Sequence, residues 1–409
     1  MTRLSAAVGC LVGVLASCQG VVSEPGPKAL PDAGAMAVVD AGSADAATPD
    51  AGPAPDAGAP DAGVPDAGGP DAGPGVDAGT GRVPIFIAHG KLGRTTVSCD
   101  DGRTWIANRS ERPNARCWDA TAAENIECDH HAWSSVGMVE ADGYFLATYG
   151  WGYPGMVRRT EDGVNWTDVL PGKTFAGMAW GNGRVMANDH APWTSTDAGA
   201  AGTWVREPDI SSVGWTVRRI AFVPATGSGP GRFIITLNSE ILLSDDNGKT
   251  WQVPATRPAA CASNTSNLVS GNGVTVLLQG DGSVCRSLDR GTNWTHHAIA
   301  PGFSSPALFE AGAFYAWDGA TRYRSTDGLT WVSAVGTPSD VSIGAVARSA
   351  NGTFVATRAG WQVWYEKQRF YRSADGITWE VLPATAFVAS HPITSILFGH
   401  ARPSVECPL

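Results

Sequence analysis

From residue 81 onwards the chain alternates short apolar runs with glycine-centred turns. Met178-Ala179-Trp180, Gly181-Asn182-Gly183 and Val185-Met186-Ala187 make one such unit. Leu268-Val269, Gly271-Asn272-Gly273 and Val274 to Leu278 make another, and Ala345-Val346-Ala347, Asn351-Gly352 and Phe354-Val355-Ala356 a third. Runs of this length bounded by Asn-Gly read as β-hairpins. A second hairpin follows each of them. In the stretch Glu240 to Val253, the apolar Ile241-Leu242-Leu243 leads into Ser244-Asp245-Asp246-Asn247-Gly248-Lys249-Thr250-Trp251. There Asp246 is placed to accept backbone N–H groups two or more residues on, Gly248 to take a conformation other residues resist, and Trp251 to anchor the returning strand.

That octet recurs. Ser98 to Trp105 and Ser287 to Trp294 match it, with Asp100 and Gly102, and Asp289 and Gly291. A form one residue shorter appears at Thr160 to Trp166 (Asp162), Ser325 to Trp331 (Asp327) and Ser373 to Trp379 (Asp375), and a longer one at Ser195 to Trp204 (Asp197). The seven tryptophans are 61, 38, 47, 43, 37 and 48 residues apart, close to the roughly 40 to 50 of a four-stranded propeller blade. The pattern S-x-D-x-G-x-[TN]-W resembles the Asp-box, or BNR repeat, of sialidases, sortilin-type receptors, xyloglucanases and photosystem assembly factors. The resemblance covers about residues 81 to 409. It implies an all-β fold, a seven-bladed propeller of four-stranded antiparallel blades, with each box at the turn between the two outer strands and away from the ligand face.

The ends of the repeat region predict how the ring closes. Gly81-Arg82-Val83 matches the turn and second strand at Gly183-Arg184-Val185, so the first blade lacks its own inner strand; Ile393 to Gly399 reads as an inner strand with no blade behind it. The C-terminal strand is expected to complete blade one and remove exposed edges. Strand alternation then puts the connections between second and third strands on the face opposite the boxes, where relatives hold ligand. These connections include His89, Trp151, Tyr153, His190, Trp193, Trp317, Asp318, Arg358, Trp361, Trp364 and Tyr365. Aromatic side chains there suit sugar rings or a protein partner. The stretch from Arg358 to Lys367 is too long for a tight connection and is the leading contact loop.

The first eighty residues differ. Arg3 followed by the apolar run Ala6 to Ala16 reads as a secretory signal over residues 1–17, and Leu15-Ala16-Ser17-Cys18 resembles a bacterial lipobox, which implies lipidation of Cys18 and membrane attachment through lipid. Gln19 after the cysteine resembles outer-membrane sorting. Residues 18–80 carry Pro-Asp-Ala-Gly at Pro31, Pro49, Pro55, Pro60, Pro65 and Pro70, a composition with no apolar surface to offset ordering entropy, and so are expected to be a disordered tether. Of the net charge of −10, residues 19 to 80 hold −9 and Arg3 adds +1, leaving −2 for residues 81 to 409. The acidity belongs to the tether, and nothing points to nucleic acid.

Six cysteines remain in the repeat region, an even number in an exported chain, with fifteen possible pairings. In a closed ring Cys117 would pair with Cys128 inside one loop, Cys261 with Cys285 inside one blade, and Cys99 with Cys407 across the closure. No C-x-x-C pair suggests a metal. A sialidase-like enzyme would need three arginines, a Tyr–Glu pair and an acid-base Asp. Arg82-Val83-Pro84 echoes the opening of sialidase domains, yet the repeat alignment puts Arg82 on a second strand. Asp129-His130-His131 ends the longest connection, Asn108 to His131, but adjacent residues on a strand diverge too far to share a metal. The resulting expectation is a monomeric, lipid-anchored cell-surface propeller, without cofactor or metal, that binds a glycan or protein without catalysis. The alternatives are a sialidase-like exo-glycosidase and an assembly factor for a membrane complex.

Overall fold

Every blade has a second strand that buries side chains on both of its faces; in the one at Arg232–Thr236 all five residues are buried. The computed structural model describes residues 81–90, 95–106, 116–119, 124–127, 134–150, 155–171, 175, 177–188, 191–210, 219–225, 230–237, 240–262, 265–298, 307–359, 369–383 and 393–408. All belong to one of the two compact units of the chain, Gly68–Leu409.

Blade 1 contains β1 (Val83–Gly90) and β2 (Thr95–Ser98). Next comes a separate hairpin of β3 (Arg116–Asp119) and β4 (Glu124–Glu127), so the connection read as one long loop holds a two-stranded sheet. Blade 2 is β5 (Ser134–Ala141), β6 (Tyr144–Gly150), β7 (Met156–Thr160) and β8 (Thr167–Pro171). Blade 3 is β9 (Gly177–Gly181), β10 (Arg184–Asn188), β11 (Pro192–Ser195) and β12 (Val205–Arg206), and blade 4 is β13 (Arg219–Val223), β14 (Arg232–Thr236) and β15 (Ile241–Ser244). Blade 5 is β16 (Thr265–Gly271), β17 (Val274–Gln279), β18 (Ser283–Ser287) and β19 (Thr295–Ala298). Blade 6 is β20 (Leu308–Glu310), β21 (Ala313–Asp318), β22 (Thr321–Ser325) and β23 (Val332–Ala334). Blade 7 is β24 (Ile343–Arg348), β25 (Phe354–Arg358), β26 (Phe370–Ser373) and β27 (Glu380–Val381), and β28 (Ile393–Ala401) closes the chain. Outside those strands, Ile106 N–H donates to Val97 O in blade 1 (2.9 Å), and in blade 4 Leu243 and Gln252 exchange both backbone bonds (2.8 and 2.9 Å).

The inner strands β28, β5, β9, β13, β16, β20 and β24 touch one another in that order, and β24 returns to β28. The result is a ring of seven antiparallel blades. β28 pairs with β1 from Val83↔Ala401 to Gly90↔Ile393 and supplies the strand that blade 1 lacks. Beyond it, Cys407 is disulfide-bonded to Cys99 of the first box, with Cα atoms 5.5 Å apart; Cys261 joins Cys285 at 5.6 Å. Cys117 lies in β3, but Cys128 falls outside the described residues, as do Cys18 and Asp129-His130-His131.

The boxes explain their own sequence. In blade 4 the Ser244 hydroxyl donates to Asp246 Oδ1 (2.8 Å) and accepts from Gly248 N–H (2.7 Å), while Asp246 Oδ1 accepts from Thr250 N–H (2.9 Å) and Oδ2 from the Thr250 hydroxyl (2.6 Å). Shorter boxes close the same circuit one residue earlier, with Asp327 Oδ1 accepting from Leu329 and Thr330 N–H at 2.8 and 2.7 Å. The extra residue of the longer form is absorbed as a second left-handed residue, Asn247 (φ 62°), before Gly248 (φ 89°). In the still longer box of blade 3 the Ser195 hydroxyl bonds Thr203 Oγ1 (2.6 Å). Burial pushes each box carboxyl up, but backbone and hydroxyl donors outweigh it and hold Asp100, Asp162, Asp246, Asp289 and Asp375 below the usual range, and Asp327 at about 2.

The boxes also join neighbouring blades. A Cβ on Gly291 would touch Ile234 and Leu243 of blade 4, and one on Gly163 would touch Ile85 and Ile87 of blade 1. Arginines then cross the seams to the boxes, mostly to their backbone carbonyls. Arg232 donates to Arg290 O (3.2 Å) and Thr292 Oγ1 (2.7 Å), Arg286 to Asp327 O (2.7 Å), Arg322 to Asp375 O, and Arg372 to Asp101 O (2.9 Å).

Candidate functional site at the turns of blades 6 and 7

The side chains that make the boxes are engaged within the ring, so the opposite turns are where other chemistry has room. Register locates them. Counting back from Ser373↔Phe354 along the β25–β26 ladder brings Arg369 opposite Arg358, and Arg358 N–H donates to Arg369 O at 3.3 Å. Two further backbone bonds tie this turn to its neighbour: Ala359 N–H to Ser342 O (2.8 Å) and Ile343 N–H to Gly319 O (3.1 Å). Asp318, which ends β21, and Arg358, which ends β25, are thereby brought to one locus. Gly344 lies so close beneath it that a Cβ would sit 2.9 Å from both Thr357 O and Arg358 O.

The locus is charged in both senses. Asp318 and Arg358 are half-buried, and Asp340 and Arg369 are exposed. Tyr371, buried below them, has its phenol pushed up by burial; Arg358 and Arg369 pull it down, and Asp340 pushes it up. A basic pair beside carboxylates and a phenol suits a polar or anionic ligand, since arginines make charge-assisted, bidentate hydrogen bonds. Arg369 and Asp340 were not singled out in the sequence. Only the register counted back from the box places Arg369 opposite Arg358.

Other expected site residues take different places. Trp193 is half-buried in β11, opposite Arg206 and packed on the core of blades 2 and 3. Trp317 is fully buried, and its indole crosses the seam to donate to Gly376 O (2.9 Å), with Phe354 and Trp379 against it at 5.8 and 6.2 Å. This is interblade packing, so the expectation that Trp317 contacts ligand is corrected: burial leaves it no surface to offer. His89 belongs not to a loop but to β1, wholly buried, sharing a hydrogen bond with the Tyr149 hydroxyl and packed against Trp166 at 5.4 Å. Burial, and secondarily Arg158, hold its imidazole well below the usual value. Trp151, Tyr153, His190, Trp361, Trp364 and Tyr365 fall outside the described residues.

Arg82 donates to Gly143 O (2.5 Å) and His400 O (3.1 Å), bridging blades 1 and 2 beside the turn between β5 and β6. Among the described residues no three His, Cys, Asp or Glu side chains gather as metal ligands would.

No known protein family and no curated protein matches the chain. Solved structures match its fold. Virginiamycin B lyase from Staphylococcus aureus is 14% identical, over 65% of this chain and 91% of that one, at a TM-score of 0.50. YCF48 from Cyanidioschyzon merolae is 15% identical over 62% and 85%, at 0.46, and YCF48 bound to a D1 peptide is 15% identical over 66% and 92%, at 0.48. Identities this low speak to the fold alone.

Proposed function

We propose that the chain is exported, anchored through lipid on Cys18 at the surface of a Gram-negative cell, and uses the propeller to bind a glycan or a protein partner without chemistry. The observation that carries this reading is the contrast between the two kinds of turn. Box carboxylates, hydroxyls and glycines are taken up by turn bonds and blade docking, whereas the turns of blades 6 and 7 gather two carboxylates and two guanidiniums at one locus, with Asp340 and Arg369 exposed beside the half-buried Asp318 and Arg358. Arg358 also opens the stretch bearing Trp361, Trp364 and Tyr365, so guanidinium and aromatic groups lie next to one another in the chain, as carbohydrate and peptide recognition uses them. The exo-glycosidase alternative loses its leading arginine, because Arg82 is held by two backbone carbonyls across a seam.

The test is a glycan array probed with the full-length protein, run beside a fluorogenic sialoside assay and surface cross-linking in the native cell. Glycan capture or a cross-linked partner without turnover supports the proposal, and sialoside turnover overturns it. Fatty-acid labelling lost in Cys18→Ser supports the anchor; labelling retained there rejects it.

A further inference from the structure

The ladder registers define one equivalent position in every blade. Phe86, Phe145, Val185, Phe233, Thr275, Phe314 and Phe354 pair with the Ser or Thr that opens each box. Three residues further along the same strands stand His89, Thr148, Asn188, Thr236, Leu278, Trp317 and Thr357, and all seven are 0% exposed. Two of them fix which way the position faces: His89 packs on Trp166 of blade 2, and Trp317 on Trp379 of blade 7. The position therefore points into the seam with the following blade, toward that blade's box tryptophan.

An apolar ring would be expected at such a depth, and blades 5 and 6 supply it with Leu278 and Trp317. The other five residues are polar. Thr148 is satisfied by Gly137 O at 3.4 Å. The remaining four present buried atoms with no partner among the described residues: His89 Nδ1, Asn188 Nδ2 and Oδ1, Thr236 Oγ1 and Thr357 Oγ1. In the seam that Thr357 faces, Trp105 Nε1 is also buried and unpartnered, although five other box indoles donate to the carbonyl of their own box glycine. Leaving so many buried donors and acceptors unsatisfied costs more than a folded chain ordinarily bears, and buried water is the usual remedy.

We propose that the seams closed by His89, Asn188, Thr236 and Thr357 each hold ordered internal water, and that in the blade 7 to blade 1 seam it bridges Thr357 Oγ1 and Trp105 Nε1. The seam faced by Leu278 is dry at this level, and in the one faced by Trp317 that indole occupies the Gly376 carbonyl, leaving Trp379 Nε1 buried there without a partner among the described residues. The ring is thus divided into hydrated and dry sectors by a single residue position per blade. A β-branched hydroxyl that water satisfies differs from an orphaned one in its response to an isosteric methyl, because valine keeps the shape and removes the polar atom.

The experiment uses the full-length protein and counts long-lived internal waters by oxygen-17 magnetic relaxation dispersion, in wild type and in Thr236→Val, Thr357→Val and Thr148→Val. The proposal expects several such waters in wild type and about one fewer in each of Thr236→Val and Thr357→Val, with the melting temperature lowered by about 2 °C or more. Thr148→Val should leave the count unchanged, because its hydroxyl already has a protein partner. An absence of long-lived water in wild type overturns the proposal, as do Thr236→Val and Thr357→Val proteins that keep the count and melt higher. A variant that does not fold leaves the wild-type count, which decides by itself.

Discussion

Trp317, Gly199 and His89 each carry a consequence that can be measured one side chain at a time. Trp317 takes the Gly376 carbonyl that Trp379, by analogy with the other boxes, would use, and Trp379 Nε1 is left without a partner among the described residues. Trp317→Leu is expected to cost about 2–4 kcal/mol in denaturant unfolding while leaving ligand affinity unchanged; an affinity loss with unchanged stability would return Trp317 to the ligand site. Gly199 has φ 75°, and a Cβ there would overlap Leu146 of the preceding blade. Gly199→Ala is therefore expected to destabilise by about 2–4 kcal/mol, combining backbone strain with overpacking. His89 is held neutral by burial, so the unfolded chain takes up a proton near pH 6.5 before the folded one does. Its share of stability is complete above that pH and declines as pH falls toward the folded value, and His89→Gln should flatten this slope of melting temperature against pH. Sequence alone gave no sign of its burial, since His89 stands at the end of a strand next to a glycine and reads equally well as the first residue of a turn.

The box is the element through which most of the fold was legible. Its Ser, Asp, Gly and Trp each have one local task, and local tasks leave a pattern that survives without knowledge of the partner blade. Because the six box carboxyls named above are depressed, their stabilisation is present above the unfolded carboxylate value near 3.8 and is lost as pH falls through the folded values, about 2 for Asp327. Acid unfolding should accordingly have a second, steeper phase between about pH 4 and pH 2, separate from the His89 slope. Asp289 and Asp375 are exposed and the other four carboxyls half-buried, so solvent screening keeps each contribution below its full shift. Asp246→Ala, which removes the acceptor for Thr250 N–H, is expected to cost about 1–2 kcal/mol, as the loss of a helix N-cap does. Less legible were the elements whose meaning depends on a neighbour. The arginines that cross the seams look like ordinary exposed charges in the sequence, and Arg369 gains significance only from the ladder that sets it opposite Arg358.

For the whole ring, the decisive feature is closure by two devices, the β1–β28 ladder and the Cys99–Cys407 disulfide. Both were foreseeable, because a first blade short of an inner strand and a final strand without a blade solve each other. The disulfide spans 308 residues, so Cys99→Ser is expected to lower stability by about 2–5 kcal/mol, and ending the chain at Pro392 should abolish the single cooperative melt. The end opposite the boxes was legible only in outline, since strand alternation names the connections but not which of them converge. Backbone bonds from Gly319 to Ile343 and from Ser342 to Ala359 bring Asp318 and Arg358 together, and such bonds leave no trace in composition. The most direct measurement is the affinity of the ligand captured in the array or cross-linking screen for full-length wild type, Arg358→Ala and Lys249→Ala, the last being an exposed residue of the fourth box. Recognition at the turns of blades 6 and 7 predicts at least tenfold weaker binding for Arg358→Ala, the scale of a hydrogen bond to a charged group, with no change for Lys249→Ala. Unchanged binding by Arg358→Ala, with the loss appearing in Lys249→Ala instead, would contradict it.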